Sequence, residues 1–410
     1  MDIKNDRKDT YTVNHLPVLT WYRDKLNDVE MEVSEATIEA IAKASHPAYL
    51  VKPQFPEEMK VTEGVSPAGL LKSYEAEGME IKREEYVAGK YPMYQEQVFP
   101  TGMGADIDRL IVKTGVPARV MELPANTKIK DPVYLHYTYP TGAEDIDITL
   151  IRIGENSEIT IIQYMDSEHG ATDGFAGTQT RVILGKNAKL HLIKVQCLPS
   201  KFLYFNDMGS RLDENSEFTY TELSLGSEKS YLGTYIDQIG DESRFRADLG
   251  FVAAGGSLTD INYTDVFKGK KSEGVMRFNG VMLDGSYKAS RETLDFRKGS
   301  VGADGDEEEN ILMLGRNVVN KAIPLILGEE EKVNGRHAAS AGKISDEMLF
   351  YMETRGIDER AAREMMIRSN ISRVTRLIPN GEIRAAADSY VDRIFSNCSG
   401  DCKACPSGSH

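Results

Sequence analysis

The chain has 410 residues, 40% of them hydrophobic and 28% charged, and a net charge of −15. These values are typical of a soluble globular protein of two or three domains. An acidic surface repels phosphate backbones, so we expect no nucleic-acid partner. No apolar stretch is long enough to span a membrane, and the opening MDIKNDRKDTYTV lacks the apolar run of a secretory signal. We therefore expect a cytoplasmic protein without membrane contact.

Residues 1–95 show helical and irregular patterns and form the first predicted domain. The segment VSEATIEAIAKA (33–44) contains Ser34, a residue type that caps helix N-termini. The segment SPAGLLKSYEAEGM (66–79) has Pro67 where a helix would begin. Both segments are predicted helices.

From residue 96 to residue 335 the pattern favours strands. Three short segments are rich in β-branched residues and partly alternate between apolar and polar positions: IDITLIRI (146–153), SEITIIQY (157–164) and RVILG (181–185). This region is the second predicted domain, the core of the protein.

A sequence motif recurs within this core, and each copy consists of residues typical of a turn followed by a segment with the alternating pattern of a strand. It begins at Gly154, Gly185, Asp213 and Gly240, in steps of 31, 28 and 27 residues. Recurrence at this period is typical of a solenoid, in which each coil buries its apolar face only against its neighbours. The sequence therefore predicts a mainly β protein with a β-solenoid core.

Helical patterns return in residues 336–397, the third predicted domain. Three helices are expected there: SDEMLFYMETRG beginning after Ser345, DERAAREMMIRSN (358–370) and GEIRAAADSYVDRIF (381–395). Residues 398–410 form a separate cysteine-rich tail.

The tail carries the strongest chemical signal, Cys398-x3-Cys402-x2-Cys405. Three thiolates this close together can bind an iron–sulfur cluster, and three ligands leave one iron of a [4Fe–4S] cluster open for exchange. Structural zinc is the alternative, with His410 as a fourth ligand. Both alternatives remain open from the spacing alone.

Other candidate sites are weaker. Cys197, alone on a predicted strand, is more often a small buried hydrophobe than a sulfur acceptor. The acidic run DGDEEEN (304–310) is expected to be a solvated turn. The glycines around His337 lack the spacing of a phosphate-binding loop, because Gly335 and Gly342 enclose six residues. We therefore expect no nucleotide binding by this chain.

Three segments between Phe278 and Gly356 resemble the SufB/SufD family of iron–sulfur cluster assembly scaffolds: FNGVMLDGSYKASRETLDFRKGS, NILMLGRNVVNKAIPLIL and GRHAASAGKISDEMLFYMETRGI. The resemblance implies a right-handed parallel β-helix core flanked by N- and C-terminal helical domains. It also implies pairing through the β-helix end near AIPLIL, and C-terminal helices that dock a SufC-type ABC ATPase. By position, His337 matches the family's interface histidine, which is implicated in cluster assembly.

The chain also departs from the SufB pattern. Val318 stands where SufB has a cysteine, and Ala338 where it has a glutamate. We expect a non-enzymatic, SufB-like scaffold whose [4Fe–4S] cluster is held by the three tail cysteines. It would work as a homodimer or with a SufB- or SufD-like paralogue and pass clusters to recipient apo-proteins. The alternative is a SufD-like interaction subunit without a cluster, with a zinc-bound or disordered tail. A β-helix carbohydrate-active enzyme is disfavoured, since the chain has a single Trp, Trp21.

Overall fold

A computed structural model describes residues 7–18, 25–44, 46–67, 69–70 and 99–396. The helices, renumbered in chain order, are α1 Glu35–Lys43, α2 Ala105–Thr114, α3 Asp346–Thr354, α4 Glu359–Thr375 and α5 Gly381–Ser396. The strands are β1 Lys8–Val13, β2 Val29–Ser34, β3 Lys60–Val65, β4 Ala118–Leu123, β5 Val133–Tyr139, β6 Ala143–Ile153, β7 Glu158–Ser167, β8 Asp173–Leu184, β9 Lys189–Gln196, β10 Lys201–Leu212, β11 Glu217–Ser224, β12 Lys229–Gln238, β13 Arg244–Ala253, β14 Leu258–Phe267, β15 Glu273–Met282, β16 Tyr287–Phe296, β17 Asp304–Met313, β18 Val319–Gly328 and β19 Asn334–Gly342.

Strands β4 to β19 wind into a solenoid of about eight turns between residues 118 and 342. Even-numbered strands lie in one sheet, ordered β18-β16-β14-β12-β10-β8-β6-β4-β3, and odd-numbered strands in the other, ordered β19-β17-β15-β13-β11-β9-β7-β5. Each coil therefore gives one strand to each sheet, and strands one coil apart pair in parallel. The predicted mainly β solenoid is confirmed.

The recurring sequence motif forms one row of turns, each of which connects a strand of the even-numbered sheet to the next strand of the odd-numbered sheet. Its third residue has a positive φ in every copy: Asn156, Asn187, Asn215 and Glu242. Asparagine tolerates this left-handed conformation better than most residues, which explains why it recurs there. The amide of Asn187 donates to Asn156 Oδ1 at 2.8 Å, and that of Asn215 donates to Asn187 Oδ1 at 2.7 Å. The turns thus form an asparagine ladder along the edge of the solenoid.

Inside the solenoid, residues at equivalent positions of successive coils are similar and lie above one another. Each turn is followed by a small, fully buried residue: Ser157, Ala188, Ser216 and Ser243. Equivalent positions of neighbouring coils stack, as in the parallel rings of Phe267 and Phe296, whose centroids lie 4.6 Å apart. In-register pairing thus aligns like side chains into continuous rows.

The N-terminal region packs against the outer face of the even-numbered sheet. Helix α1 is confirmed, with Ser34 Oγ accepting a hydrogen bond from the Thr37 amide at 3.0 Å. The described part also contains strands, because β1 and β2 pair as an antiparallel ladder and β3 extends the sheet edge. Most of the predicted helix 66–79 lies outside the described residues. The sequence analysis did not predict helix α2, because the residue before it, Gly104, has no side chain to cap the helix.

The three C-terminal helices are confirmed. Ser345 caps α3, Asp358 caps α4, and α4 and α5 cover the outer face of the odd-numbered sheet. The buried stripe of α4 includes Ala362, Ile367, Ile371 and Val374, whereas Met365 is half exposed. Of the helices in the described ranges, none is long and apolar enough to cross a membrane.

We expect the asparagine ladder to stabilise the solenoid measurably. Asn187→Gly keeps the left-handed turn but removes the ladder, and should lower the free energy of unfolding by about 1 kcal/mol. Asn187→Ala adds the steric cost of a Cβ at positive φ and should lower it by about 2 kcal/mol. Urea unfolding followed by circular dichroism measures both values. Equal losses in the two variants would contradict the turn argument.

Candidate functional site

Of the site residues proposed from the sequence, the structure describes only His337. Cys398, Cys402 and Cys405 lie outside the described residues, and α5 ends at Ser396 just before them. His337 lies on β19, exposed, in the last coil. Within the described ranges, no three His, Cys, Asp or Glu side chains converge as a metal site would require. The metal ligands therefore stay a prediction.

The last coil leaves one end of the solenoid open. Strands β18 and β19 are the outermost strands of their sheets, so each has one edge that no described strand pairs. All nine residues of β19 are exposed, and its second half consists of the small residues 338–342. Ile326 on β18 is 42% exposed. An unpaired edge beside exposed apolar side chains is suited to binding another protein.

A row of buried polar residues, here called the polar seam, runs between the two sheets. At its centre Lys194 is fully buried and donates hydrogen bonds to Thr180 Oγ1 at 2.8 Å and Asn206 Oδ1 at 2.6 Å. Burial lowers the pKa of Lys194 to about 8, against the opposing pull of Glu222 and other carboxylates. A buried lysine of this kind is held in the core only because it is hydrogen-bonded throughout.

From Lys194 the polar seam continues through Asn206 to the carboxylate of Glu222. Asn206 Nδ2 donates to Glu222 Oε1 at 2.8 Å and to the Tyr220 hydroxyl at 2.7 Å. The Tyr263 hydroxyl donates to the other Glu222 oxygen. Burial raises the pKa of Glu222, although these donors and Lys194 oppose the rise. The group is therefore a connected hydrogen-bond network and not a set of isolated polar residues.

Toward the first coil the seam ends at an arginine. Arg119, 1% exposed, donates to Asp147 Oδ1 at 3.3 Å and to Glu63 Oε1 at 2.8 Å. The Tyr137 hydroxyl donates to Asp147 Oδ2 at 2.9 Å. The buried guanidinium is thus neutralised by two carboxylates, one of which comes from β3 at the edge of the sheet.

Toward the open end the seam becomes a carboxyl cluster. Glu292, Glu307 and Glu309 are buried, and Lys288 donates to Glu309. Burial is the main cause that raises the pKa of both Glu292 and Glu307; the charge of Glu309 adds to the rise for Glu292, and that of Glu292 for Glu307. His337 occupies the register position of Glu307 one coil further on. The seam therefore reaches the coil directly beneath the open end.

The acidic run 304–310 was expected to be a solvated turn, and that prediction was wrong. It forms strand β17, in which Glu307 and Glu309 point into the core, while Glu308 points outward and pairs with Arg277 Nε at 3.2 Å. The burial alternates with period two, which is the signal of a strand. The sequence did not show this alternation, because acidic residues occupy both the buried and the exposed positions. Charged residues are rarely buried in a core, so the run was interpreted as solvated.

Cys197 is buried, as expected. It is 5% exposed and packs in the apolar cluster between the odd-numbered sheet and helices α4 and α5. Burial raises the pKa of its thiol. A thiol that stays protonated is a poor nucleophile and a poor metal ligand, so this residue contributes to packing.

A family model described as "SUF system FeS cluster assembly, SufBD core domain" matches residues 140–370. The curated protein named iron–sulfur cluster assembly protein SufD of Bacillus subtilis is 24% identical over 274 residues, covering 66% of this chain and 62% of that protein. SufBD family proteins of Staphylococcus saprophyticus and Pyrococcus horikoshii are 21% and 23% identical, covering 63% and 62% of this chain and 56% and 57% of theirs. The matches span less than two thirds of each relative's length.

The carboxyl cluster predicts a pH dependence of stability. Unfolded glutamate has a pKa of about 4.3, whereas folded Glu307 keeps its proton to higher pH. The folded state therefore binds more protons than the unfolded state, and its stability falls as pH rises above that value. Glu307→Gln, a neutral isostere, should raise the free energy of unfolding at about pH 8 and flatten its decline between about pH 5 and pH 8.

Urea unfolding at a series of pH values measures this effect. Glu308→Gln is the matched control, since this neighbouring glutamate faces solvent on the same strand. The control should leave the pH slope unchanged. An unchanged slope in Glu307→Gln would contradict the assignment of a proton-holding carboxyl.

Proposed function

Because the chain belongs to the SufBD family of iron–sulfur cluster assembly proteins, as the match over residues 140–370 shows, we propose that it is a scaffold subunit on which clusters are assembled and passed on. The observation that carries the proposal is the combination of this family core with three cysteines immediately after α5. In this proposal the cluster is bound temporarily and is not a permanent cofactor of the subunit. The subunit binds and releases it without being an enzyme.

Cys398, Cys402 and Cys405 are the proposed ligands, and [4Fe–4S] is the proposed cluster. Thiolates are the usual protein ligands of such clusters. Three of them leave one iron without a protein thiolate, so a recipient apo-protein can approach that iron. Zinc at the same cysteines is the competing occupant. We assign His337, exposed on the last coil, a role in handling the cluster or its components at the open end.

A SufD-like role without a cluster is the second candidate. It is favoured by the similarity to the protein named SufD of Bacillus subtilis. It is also favoured by Val318, which precedes β18 where a SufB-like chain would have a cysteine. In that case the tail would hold zinc or no metal, and the subunit would serve to assemble the complex.

The proposed partners follow from the exposed surfaces. A second copy or a paralogue would cover the open end, where the strand edges of β18 and β19 are unpaired. A SufC-type ABC ATPase would dock on the C-terminal helices, where α3 has no buried residue and exposes Phe350 and Tyr351. Large exposed aromatic side chains are typical anchors of protein interfaces. The proposed location is the cytoplasm.

The cluster assignment is tested by anaerobic reconstitution with ferrous iron and sulfide. We expect a broad charge-transfer absorption and acid-labile sulfide in the wild-type chain. Changing Cys398, Cys402 and Cys405 together to serine should abolish both. Cys197→Ala, which removes the buried cysteine, is the control and should keep both. Zinc without labile sulfide in the wild type would favour the SufD-like role, and a spectrum unaffected by the triple change would rule out the tail as ligand.

The pairing surface is tested with a charge at the open end. Ile326→Asp should weaken self-association, or association with a co-expressed paralogue, by roughly tenfold, equivalent to about 1.4 kcal/mol. Val112→Asp on α2 is the control, because Val112 is 63% exposed and lies on the N-terminal side of the molecule. Light scattering coupled to size exclusion gives the masses. Equal behaviour of the two variants would count against pairing through the open end.

A further inference from the structure

A groove of about 1540 Å³ lies between the C-terminal helices and the solenoid. Its solenoid wall consists of six successive turns that lead from the odd-numbered to the even-numbered sheet, beginning after β7 and ending after β17. Strands of neighbouring coils lie about 4.8 Å apart, so this wall is roughly 24 Å long. The space is here called the flank groove.

Two hydrogen bonds hold the helices against the turns that border the flank groove. The Tyr390 hydroxyl of α5 donates to the Leu198 carbonyl. Arg363 Nη1 of α4 donates to the Leu314 carbonyl at 3.0 Å. Both donors belong to residues that line the groove, so its two walls are fixed relative to each other before anything enters it.

Apolar side chains line the flank groove on both walls. Pro199, Ala254 and Leu314 come from the turns and are only partly buried. Ile394 and Phe395, in the last turn of α5, line the other wall and are also partly buried. A concave site with partly exposed apolar lining is suited to binding an apolar surface of another molecule.

The charges of the flank groove are distributed unevenly between its walls. The helix wall is balanced, because three acidic residues and three arginines line it. Two of these acidic residues are paired within the helices, Glu359 with Arg363 at 2.7 Å and Glu364 with Arg368 at 3.0 Å. The solenoid wall carries three exposed carboxylates, and none of the described residues that line it is Lys or Arg. The net negative charge of the groove therefore comes from the solenoid.

The three carboxylates of the solenoid wall recur at a regular interval. Glu168, Glu228 and Asp284 lie on the turns after β7, β11 and β15, so each is two coils from the next. Two coils correspond to about 10 Å along the solenoid. Seven residues of an α-helix rise by about 10.5 Å. A helix lying along the groove would thus bring its side chains at positions i, i+7 and i+14 to the three carboxylates.

We propose that the flank groove binds an amphipathic helix of a partner protein, with Lys or Arg at i, i+7 and i+14 and apolar residues between them. The basic side chains pair with the three carboxylates, and the apolar ones cover Pro199, Ala254 and Leu314. The solenoid wall accommodates about 16 residues of helix. The described lining of the groove includes no residue of α3, so this surface is separate from Phe350 and Tyr351. The inference is also independent of the cluster assignment.

A designed peptide tests this inference on the full-length chain. The probe is a helical peptide of about 17 residues with lysines at i, i+7 and i+14, leucines between them and alanine elsewhere. The control peptide has the same composition, but its lysines at i, i+5 and i+10 lie on different sides of the helix. This control is needed because a chain with a net charge of −15 attracts any basic peptide. Fluorescence anisotropy of the labelled peptides measures both affinities.

The probe should bind about tenfold more tightly than the control peptide, since only the probe can place all three lysines beside carboxylates. Glu228→Lys should weaken probe binding about tenfold through charge repulsion. Glu155→Lys, at an exposed position beside the asparagine ladder, is the matched control and should change it by less than about twofold. Equal affinities for the two peptides, or equal losses in the two variants, would overturn the proposal.

A charge exchange at the middle position gives a second test. Glu228 is the middle carboxylate, so the middle lysine of the probe meets it whichever way the helix runs. A probe with glutamate at that position should bind the Glu228→Lys chain about fivefold more tightly than it binds the wild type. The absence of this preference would contradict the pairing. A probe that converts a dimer of the chain to monomers in light scattering would overturn the partner assignment and give the groove to a second copy.

Discussion

Parallel, in-register hydrogen bonding between strands one coil apart places equivalent residues of successive coils directly above one another. Each coil buries its apolar side chains against the coil before and the coil after it, so no coil is stable alone. The left-handed turns at Asn156, Asn187 and Asn215 keep the register, because an added or lost residue there would turn every side chain of the next strand to the opposite face. The core, the ladder of turns and the outer helices all depend on this stacking.

The same stacking makes a polar seam possible. A single buried lysine would be costly in an apolar core, but a row of polar positions gives it hydrogen-bond partners on the facing sheet. Lys194 bonds to residues of β8 and β10, and Tyr263 of β14 bonds to Glu222 of β11. The seam therefore links coils through side chains as the sheets link them through the backbone. Toward the last coil, burial raises the pKa of Glu292 and Glu307 more than the charge of Lys288 lowers it.

The two ends of the solenoid differ in whether other parts of the chain cover them. Beside the first coil, Glu63 of β3 pairs with Arg119 and β3 itself pairs with β4, so that end is covered by its own chain. At the last coil the edges of β18 and β19 have no described partner strand. That asymmetry favours assembly at one end.

The sequence by itself determined the local features. Short-range rules suffice for a left-handed turn, a Ser34 or Ser345 cap and a helix period, so the recurrence from Gly154 to Gly240 predicted the solenoid, and the helices after residue 345 were predicted correctly. The motif GRHAASAGKISDEMLFYMETRGI indicated the family. Only the tertiary structure decided which charged residues are buried. Glu309 and Lys194 look like surface residues in the sequence. They are core residues because the coiling of the chain sets the two sheets face to face, which brings Lys194 to Asn206, 12 residues away, and Glu309 to Lys288, 21 residues away.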